Sequence, residues 1–402
     1  MRKLTILLLL VSTVPPAFAV KRVTLDKVNQ LLVNARGRPD AKVAEQLFDL
    51  ELTQRASSAT LARWEAELPG PKSHQALVAL TDASVFLPLP PEEIPGTPAL
   101  DRAAQDSLLT LTRNYVTDTI PKLPNFFATR DTTHFSDEPE QINSITLVNS
   151  QYQQMHLVEI SNDKVYFLGG KEKVVAIKNK QVLVSEKPLT TQGVFGQTME
   201  LVLTDVLPSG LVWSHWEGGA DAPEAVFSYA VPLEKSHYAV KISDDPGPDP
   251  LRVAYHGEIA IDRADGTIRR LTAVAELRKN SPITKADFMV KYGPVEIGGV
   301  SYICPVKSVS LTITHTVNTT PNSDMNPGAM QNSQNAKTPP NFQNGFSPGS
   351  TTAGLPLTQV NDVQFTDYHR FRASTRILTG DDAQPDETSP DSAPAPHPAP
   401  EP

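Results

Sequence analysis

Two His-x-Glu triplets are the residues of this chain whose types and spacing could do chemistry. They are His215-Trp216-Glu217 and His256-Gly257-Glu258. Residues i and i+2 of a β-strand lie on one face, so each triplet presents an imidazole beside a carboxylate. Such a pair could bind a metal ion, or could act as a general base with its orienting group. A zinc site needs three or four ligands, and no His-x-x-x-His or Cys-x-x-Cys cluster supplies the others.

Two interpretations of His256 and Glu258 follow. They are candidate metal ligands of an exported metal-dependent hydrolase, in which His215 would also take part, or they are polar residues on the solvated face of a sheet. The sequence favours the second interpretation, because the folded part contains no Gly-x-Ser-x-Gly elbow and no dinucleotide fingerprint. We therefore predict no catalytic residue and no cofactor.

Five aromatic residues form the other candidate site. They could line an apolar cavity and bind a ligand, or they could fill the core of the sheet. The residues are Trp213, Trp216, Phe227, Tyr229 and Tyr238.

Strands must position both sets of residues. Apolar and polar residues alternate at Tyr255–Ile261, Leu271–Leu277, Phe288–Tyr292 and Tyr302–Leu311. This two-residue period predicts an antiparallel meander with a turn at Asp265-Gly266. Gly293-Pro294 and Gly298-Gly299 bracket another predicted reversal.

Further strands and one short helix are predicted on both sides of a long helix at 100–120. Asn162-Asp163 and Gly169-Gly170 are read as turns between neighbouring strands. The strands are at 126–135, 143–150, 154–160, 163–168, 172–177, 180–185, 211–217, 226–231 and 360–377, and the short helix is at 196–207.

The amino-terminal part has helical periodicity. Residues 20–87 predict a small helical unit, with Asp40 and Ser58 as helix N-caps. Repeated prolines make 88–99 a linker, because proline interrupts both helices and strand ladders. The sheet domain is then predicted at 100–378.

Two segments have the composition of disordered chain. Residues 317–354 are rich in Asn, Pro, Ser, Gln and Thr and predict a disordered insertion between two strands. Residues 379–402 predict a disordered acidic Pro/Ala tail. Neither segment has enough apolar residues to offset the entropy lost on ordering.

The amino terminus and the charge bound the class of function. Arg2-Lys3, an apolar run and Ala17-Phe18-Ala19 predict a signal peptide at 1–19, cleaved near Ala19, and a periplasmic or secreted protein. The apolar run is shorter than the roughly 20 residues of a membrane span, and no later segment predicts one. The formal net charge of -9 disfavours nucleic acid as a partner. The single cysteine, Cys304, is predicted to be a small buried apolar residue.

A resemblance rests on the late hairpin. Glu258-Ile-Ala-Ile-Asp262, then Asp265-Gly266 and Ile268-Arg-Arg-Leu271, is similar to exported lipoprotein-carrier (LolA-like) and RseB-like domains, over roughly residues 100–378. The segments 123–130, 292–299 and 302–307 also look like a group of uncharacterised exported bacterial proteins. The resemblance implies a half-barrel that holds acyl chains under a helical cover. The helices at 23–87, the insertion and the tail depart from that pattern.

The expected architecture is α+β: a curved antiparallel sheet (half-barrel) with helical cover, preceded by a small all-helical amino-terminal unit. The expected function is an exported, non-enzymatic binding or scaffold protein, with a lipid or an acylated protein as ligand. The alternatives are the metal-dependent hydrolase and a surface protein-interaction module whose disordered segments contact partners.

Overall fold

A computed structural model describes most of the chain between Val20 and Phe371. The described ranges are 20–118, 120–137, 154–176, 204–206, 210–219, 222–240, 250–278, 281–319 and 351–371. The described residues up to Arg370 belong to one compact unit. Residues 1–19, 138–153, most of 177–209 and 372–402 lie outside these ranges. The signal peptide, the strands at 143–150 and 180–185, and the tail therefore stay predictions.

Five α-helices are described. They are α1 (Leu25–Ala35), α2 (Asp40–Phe48), α3 (Ser58–Glu65), α4 (Pro71–Asp82) and α5 (Arg102–Asp118). No helix in the described ranges combines the length and the apolar character that crossing a membrane requires.

The described strands form one large sheet and two small ones. They are β1 (Lys21–Val23), β2 (Leu50–Leu52), β3 (Phe126–Ser136), β4 (His156–Leu168), β5 (Lys171–Ala176), β6 (Val212–Gly218), β7 (Pro223–Val231), β8 (Ala239–Val240), β9 (Leu251–Arg252), β10 (Ala254–Ile261), β11 (Ile268–Glu276), β12 (Ile283–Ile297), β13 (Val300–Thr319) and β14 (Thr351–Arg370).

The large sheet has ten strands in the order β5-β4-β3-β14-β13-β12-β11-β10-β7-β6, and every neighbouring pair is antiparallel. The predicted α+β class with a large antiparallel sheet is confirmed. So is the turn at Asp265-Gly266, where Gly266 has φ +77° between β10 and β11.

Two predicted turns are wrong. Asn162-Asp163 lies inside β4, a single strand in which Asp163 pairs with Arg130 of β3. Gly293-Pro294 also lies inside a strand, since β12 pairs with β13 along its whole length and turns only at Gly298-Gly299. In both places the long neighbouring strand supplies hydrogen-bond partners that override the local turn preference.

One face of the sheet, here called the first face, carries the main apolar core and contacts α5. Its fully buried side chains include Phe126, Phe227, Tyr255, Leu271 and Val290. Leu108 of α5 is buried against the same cluster, with Leu109, Tyr115 and Val116 partly buried beside it. The helix and the sheet therefore share one core.

The opposite face, here called the second face, contacts α4. Ala79 of α4 is buried in a small apolar cluster with Phe135, Met289, Val309 and Leu311, and Phe48 packs against it. The sheet is thus packed on both faces over part of its area, by α5 on the first face and by α4 on the second.

The helices α1–α4 also pack on one another around a cluster of their own that includes Val28, Leu47, Trp64 and Leu77. The sequence predicts only helices here, whereas the structure adds the parallel pair β1–β2. Asp40 does not cap its own helix, because its carboxylate accepts the Lys72 and Ser73 N–H groups, both at 2.9 Å, at the start of α4.

Part of the predicted linker and part of the predicted insertion have regular structure. Residues 88–99 contain a short 3-10 turn at Pro91–Glu93, and Glu93 accepts hydrogen bonds from Ser57 N and Thr60 Oγ1 of the α3 region. Strands β13 and β14 occupy 317–319 and 351–354 of the predicted insertion. Its remainder, 320–350, lies outside the described ranges.

Candidate functional site

All five predicted aromatic residues lie on the first face. The Trp213 ring is 5.1 Å from Trp216 and 5.6 Å from Phe227, and the Tyr255 ring links Tyr229 at 5.9 Å to Tyr238 at 5.5 Å. Trp216, Phe227 and Tyr229 are buried, while Trp213 and Tyr238 are partly buried. The five residues therefore form a packed aromatic floor, of which Trp213 and Tyr238 keep some exposure.

Polar atoms of this floor bond to the protein. Tyr229 donates its hydroxyl to Thr272 O at 2.6 Å, and Tyr238 donates to Ala286 O at 2.9 Å. Trp216 donates its indole N–H to Pro98 O at 2.8 Å, which ties the proline-rich segment to the floor. Burial raises the pKa of the Tyr229 hydroxyl well above its usual value, so this group stays neutral.

The turn between β10 and β11 seats helix α5. A Cβ added to Gly266 would lie 2.7 Å from backbone or Cβ atoms of Leu111 and Thr112. Glycine thus serves twice here, because it permits the positive φ and lets the turn approach the helix backbone. The predicted Asp265-Gly266 turn is a positioning element for the helix.

A cavity of about 220 Å³ lies beside this helix. Its apolar lining includes Leu109 and Val116 of α5 and Leu211 just before β6, and Arg102 and Arg113 of α5 also line it. None of the five predicted aromatic residues lines this cavity. The sequence does not predict this cavity, because Leu211 and α5 are separated by about a hundred positions. Only the helical spacing of Leu109 and Val116 indicates that this side of α5 is buried.

A second group missed by sequence reasoning is centred on Asp205. Its buried carboxyl accepts the Tyr255 hydroxyl at 2.9 Å, the His237 backbone N–H at 2.9 Å, and lies 2.5 Å from His237 Nδ1. The His237 side chain is 68% exposed, so its other ring nitrogen can face solvent. No motif links these three residues in the sequence.

The Tyr255 hydroxyl should stabilise the fold through Asp205. We expect Tyr255→Phe to lower the free energy of unfolding by about 1 to 2 kcal/mol, because a buried carboxyl loses one of its donors. Urea denaturation measures this change. Tyr302→Phe is the control, since the Tyr302 hydroxyl has no hydrogen bond within the described ranges; an equal loss in both variants would contradict the assignment.

The two His-x-Glu triplets take different places. His256 Nδ1 lies 3.4 Å from Glu276 Oε1, whereas Glu258 accepts a hydrogen bond from Arg270 at 3.2 Å. The His215 side chain lies near Glu217 and Glu258, and burial lowers its pKa. The structure thus brings together His215, Glu217 and Glu258 on the second face, and gives His256 a different partner, Glu276.

Arginines surround the two glutamates. Arg55, which follows β2, donates to both carboxylate oxygens of Glu217 at 2.6 and 3.2 Å, and Arg270 donates to the same carboxylate at 2.6 Å. Burial alone would raise the pKa of Glu217, but the two guanidinium groups outweigh it and lower the pKa to about 2. Glu217 is therefore ionised, and this cluster is an ionic contact between the amino-terminal segment and the sheet.

A metal site would need more ligands than this arrangement supplies. Within the described ranges, no group of three or more His, Cys, Asp and Glu side chains could hold a metal ion. Glu258 is also paired with Arg270, so a metal ion would have to compete with the guanidinium group for this carboxylate. Metal binding by His256 and Glu258 stays a prediction.

Comparison of this chain with protein-family models, with curated proteins and with solved structures finds no match. The geometry of the first face and of helix α5 is therefore the basis on which a function is proposed below.

Proposed function

We propose that this chain is an exported, non-enzymatic binding protein whose ligand is an acyl chain with an anionic head group. The single observation that carries the proposal is the cavity between α5 and Leu211, in which leucine and valine side chains meet two arginines and one aspartate, Asp106. Ligand sites typically combine an apolar lining with a few polar groups that fix orientation. The resemblance to lipoprotein carriers supports the same class of ligand, a lipid or an acylated protein.

The charges at the cavity suit a carboxylate or a phosphate. Arg102 forms an exposed ion pair with Asp106 at 3.4 Å. Arg113 has no ion pair within the described ranges and is free to meet an anion. An acyl chain would lie along Leu109, Val116 and Leu211 with its head group near Arg113.

Helix α5 is loosely held. Of its residues only Leu108 and Thr112 are buried, and Leu111 is 44% exposed. The cavity is smaller than the roughly 300 to 1,000 Å³ of a typical ligand pocket. In this proposal α5 moves outward when a ligand enters, and Trp213 of the aromatic floor becomes exposed. The sheet beneath is a curved half-barrel, preceded by an amino-terminal helical unit.

Filling the cavity should abolish binding. We expect Val116→Phe to weaken binding of a fluorescent fatty acid to delipidated protein about tenfold or more, since the added ring occupies the space of the chain. Fluorescence titration gives the dissociation constant. Val33→Phe on α1, at an exposed position outside the site, is the matched control and should bind as the parent does.

The head group is tested separately. Arg113→Gln should weaken binding of a fatty acid several-fold and leave binding of the matching fatty alcohol unchanged, because only the acid carries the charge. Arg38→Gln on the exposed surface is the control. Equal affinity of the parent and of Val116→Phe for both lipids would end the proposal.

A further inference from the structure

A half-buried lysine on the second face is shared by two carboxyl groups. Lys307 Nζ of β13 lies 2.8 Å from Asp82 Oδ1 and 3.2 Å from Asp362 Oδ1. Asp82 is the last residue of α4, and Asp362 belongs to β14. Both aspartate side chains are 4% exposed and the lysine side chain is 25% exposed. The triad therefore joins α4 to two strands of the sheet.

The charges of this triad do not balance when all three groups are ionised. Two carboxylates and one ammonium leave one negative charge in a buried place, which is costly. Lys291 also faces Asp82 and lowers the pKa of its carboxyl, but less than Lys307 does. Lys291 of β12 is the cross-strand neighbour of Lys307 but forms no ion pair within the described ranges, and Gln364 donates a hydrogen bond to Asp362 at 3.3 Å.

We propose that Asp82, Lys307 and Asp362 form a proton-dependent latch, which holds α4 on the sheet while the Asp82 carboxyl carries a proton and loosens when that proton is lost. The latch reinforces an apolar contact in which Ala79 of α4 meets Phe135, Met289 and Val309. Val78 of α4, and Val85 and Phe86 after it, pack against the same cluster. A loosened latch would uncover this part of the second face.

The direction of the pH effect follows from the burial. Burial raises the pKa of Asp82 to about 7; Lys307 opposes this shift and Asp362 adds to it. A carboxyl group whose pKa is higher in the folded state stabilises that state at low pH, and the contribution is lost as the pH rises toward the folded pKa. The contact of α4 should therefore be strong at pH 5 and weak at pH 8.

Amide hydrogen exchange of the whole chain tests the latch. After correction for the intrinsic rates, we expect the protection of α4 amides to fall more than tenfold between pH 5 and pH 8, relative to amides of β10, because each pH unit below the folded pKa changes the equilibrium about tenfold. Asp82→Asn removes the titrating carboxyl group, so its α4 protection should be the same at both pH values.

Asp287→Asn is the matched control. Asp287 is another aspartate of the second face, with a side chain 1% exposed, but it lies outside the triad. This variant should keep the pH dependence of α4. Constant α4 protection in the parent, or the parental pH dependence in Asp82→Asn, would overturn the proposal. A carbon-13 carboxyl titration of Asp82 in the parent gives an independent answer: a midpoint near 7 supports the latch and one below pH 5 refutes it.

Discussion

Gly257→Ala should be among the most destabilising single substitutions in this protein. A Cβ on Gly257 would lie 1.9 Å from Thr272 O and 2.8 Å from the Tyr229 hydroxyl, which itself donates to Thr272 O. The nearest atom is backbone of the adjacent strand β11, so no side-chain rotation can relieve the clash. We expect a loss of about 3 kcal/mol or more in the free energy of unfolding.

The matched control for this prediction is Gly218→Ala at the end of β6. No atom lies within 4 Å of a Cβ built there. Alanine should be neutral or stabilising by up to about 1 kcal/mol, since glycine is unfavourable in a strand. Urea denaturation of both variants tests this prediction. Similar midpoints for the two variants would contradict it, because they would mean that β10 and β11 can move apart locally at little cost in free energy.

Removal of Arg270 should also be severe. Arg270 is 5% exposed and pairs with both Glu217 and Glu258. Arg270→Met keeps much of the side-chain volume but leaves Glu217 with Arg55 as its remaining partner in the cluster. Breaking a buried ion pair by removing one partner costs about 3 to 5 kcal/mol, and we expect a loss of that order at pH 7.

The penalty of Arg270→Met should shrink in acid. The pKa of Glu217 is lowered from 4.5 to about 2 in the folded protein. A lowered carboxyl pKa stabilises the fold above pH 4.5, and this contribution, about 3 kcal/mol in the parent, is lost as the pH falls toward 2. Denaturation at pH 7 and pH 3 should therefore show a smaller difference between parent and variant at pH 3.

Arg22→Met provides the comparison for Arg270→Met. Arg22 pairs with Glu51 at 3.1 Å, but the two side chains are 73% and 48% exposed. Solvent-exposed pairs contribute about 1 kcal/mol or less. A loss of under about 1 kcal/mol for Arg270→Met as well would show that Arg55 alone is enough to stabilise the Glu217 carboxylate.

Local sequence patterns were sufficient for the strands that face one core. The alternation in Tyr255–Ile261 and Leu271–Leu277 predicts β10 and β11, and Asp265-Gly266 predicts their turn, because each depends only on neighbours a few positions away. The strand at 126–135 and the helix at 100–120 are likewise found as β3 and α5. The same patterns placed turns at Asn162-Asp163 and Gly293-Pro294, where long neighbouring strands instead extend the ladder.

By itself, the sequence determined the fold class and most strand positions, since these follow from the period of the side chains. The tertiary structure decided that Trp213 and Trp216 share a face, because the register of β6 shifts between Trp213 and His215. Only the tertiary structure decided which charges meet. Arg55 and Glu217 are 162 positions apart, Asp40 caps α4 instead of α2, and Asp82 meets Lys307 across the α4–sheet contact. Such pairs depend on how helices and strands pack, and no local period encodes that packing.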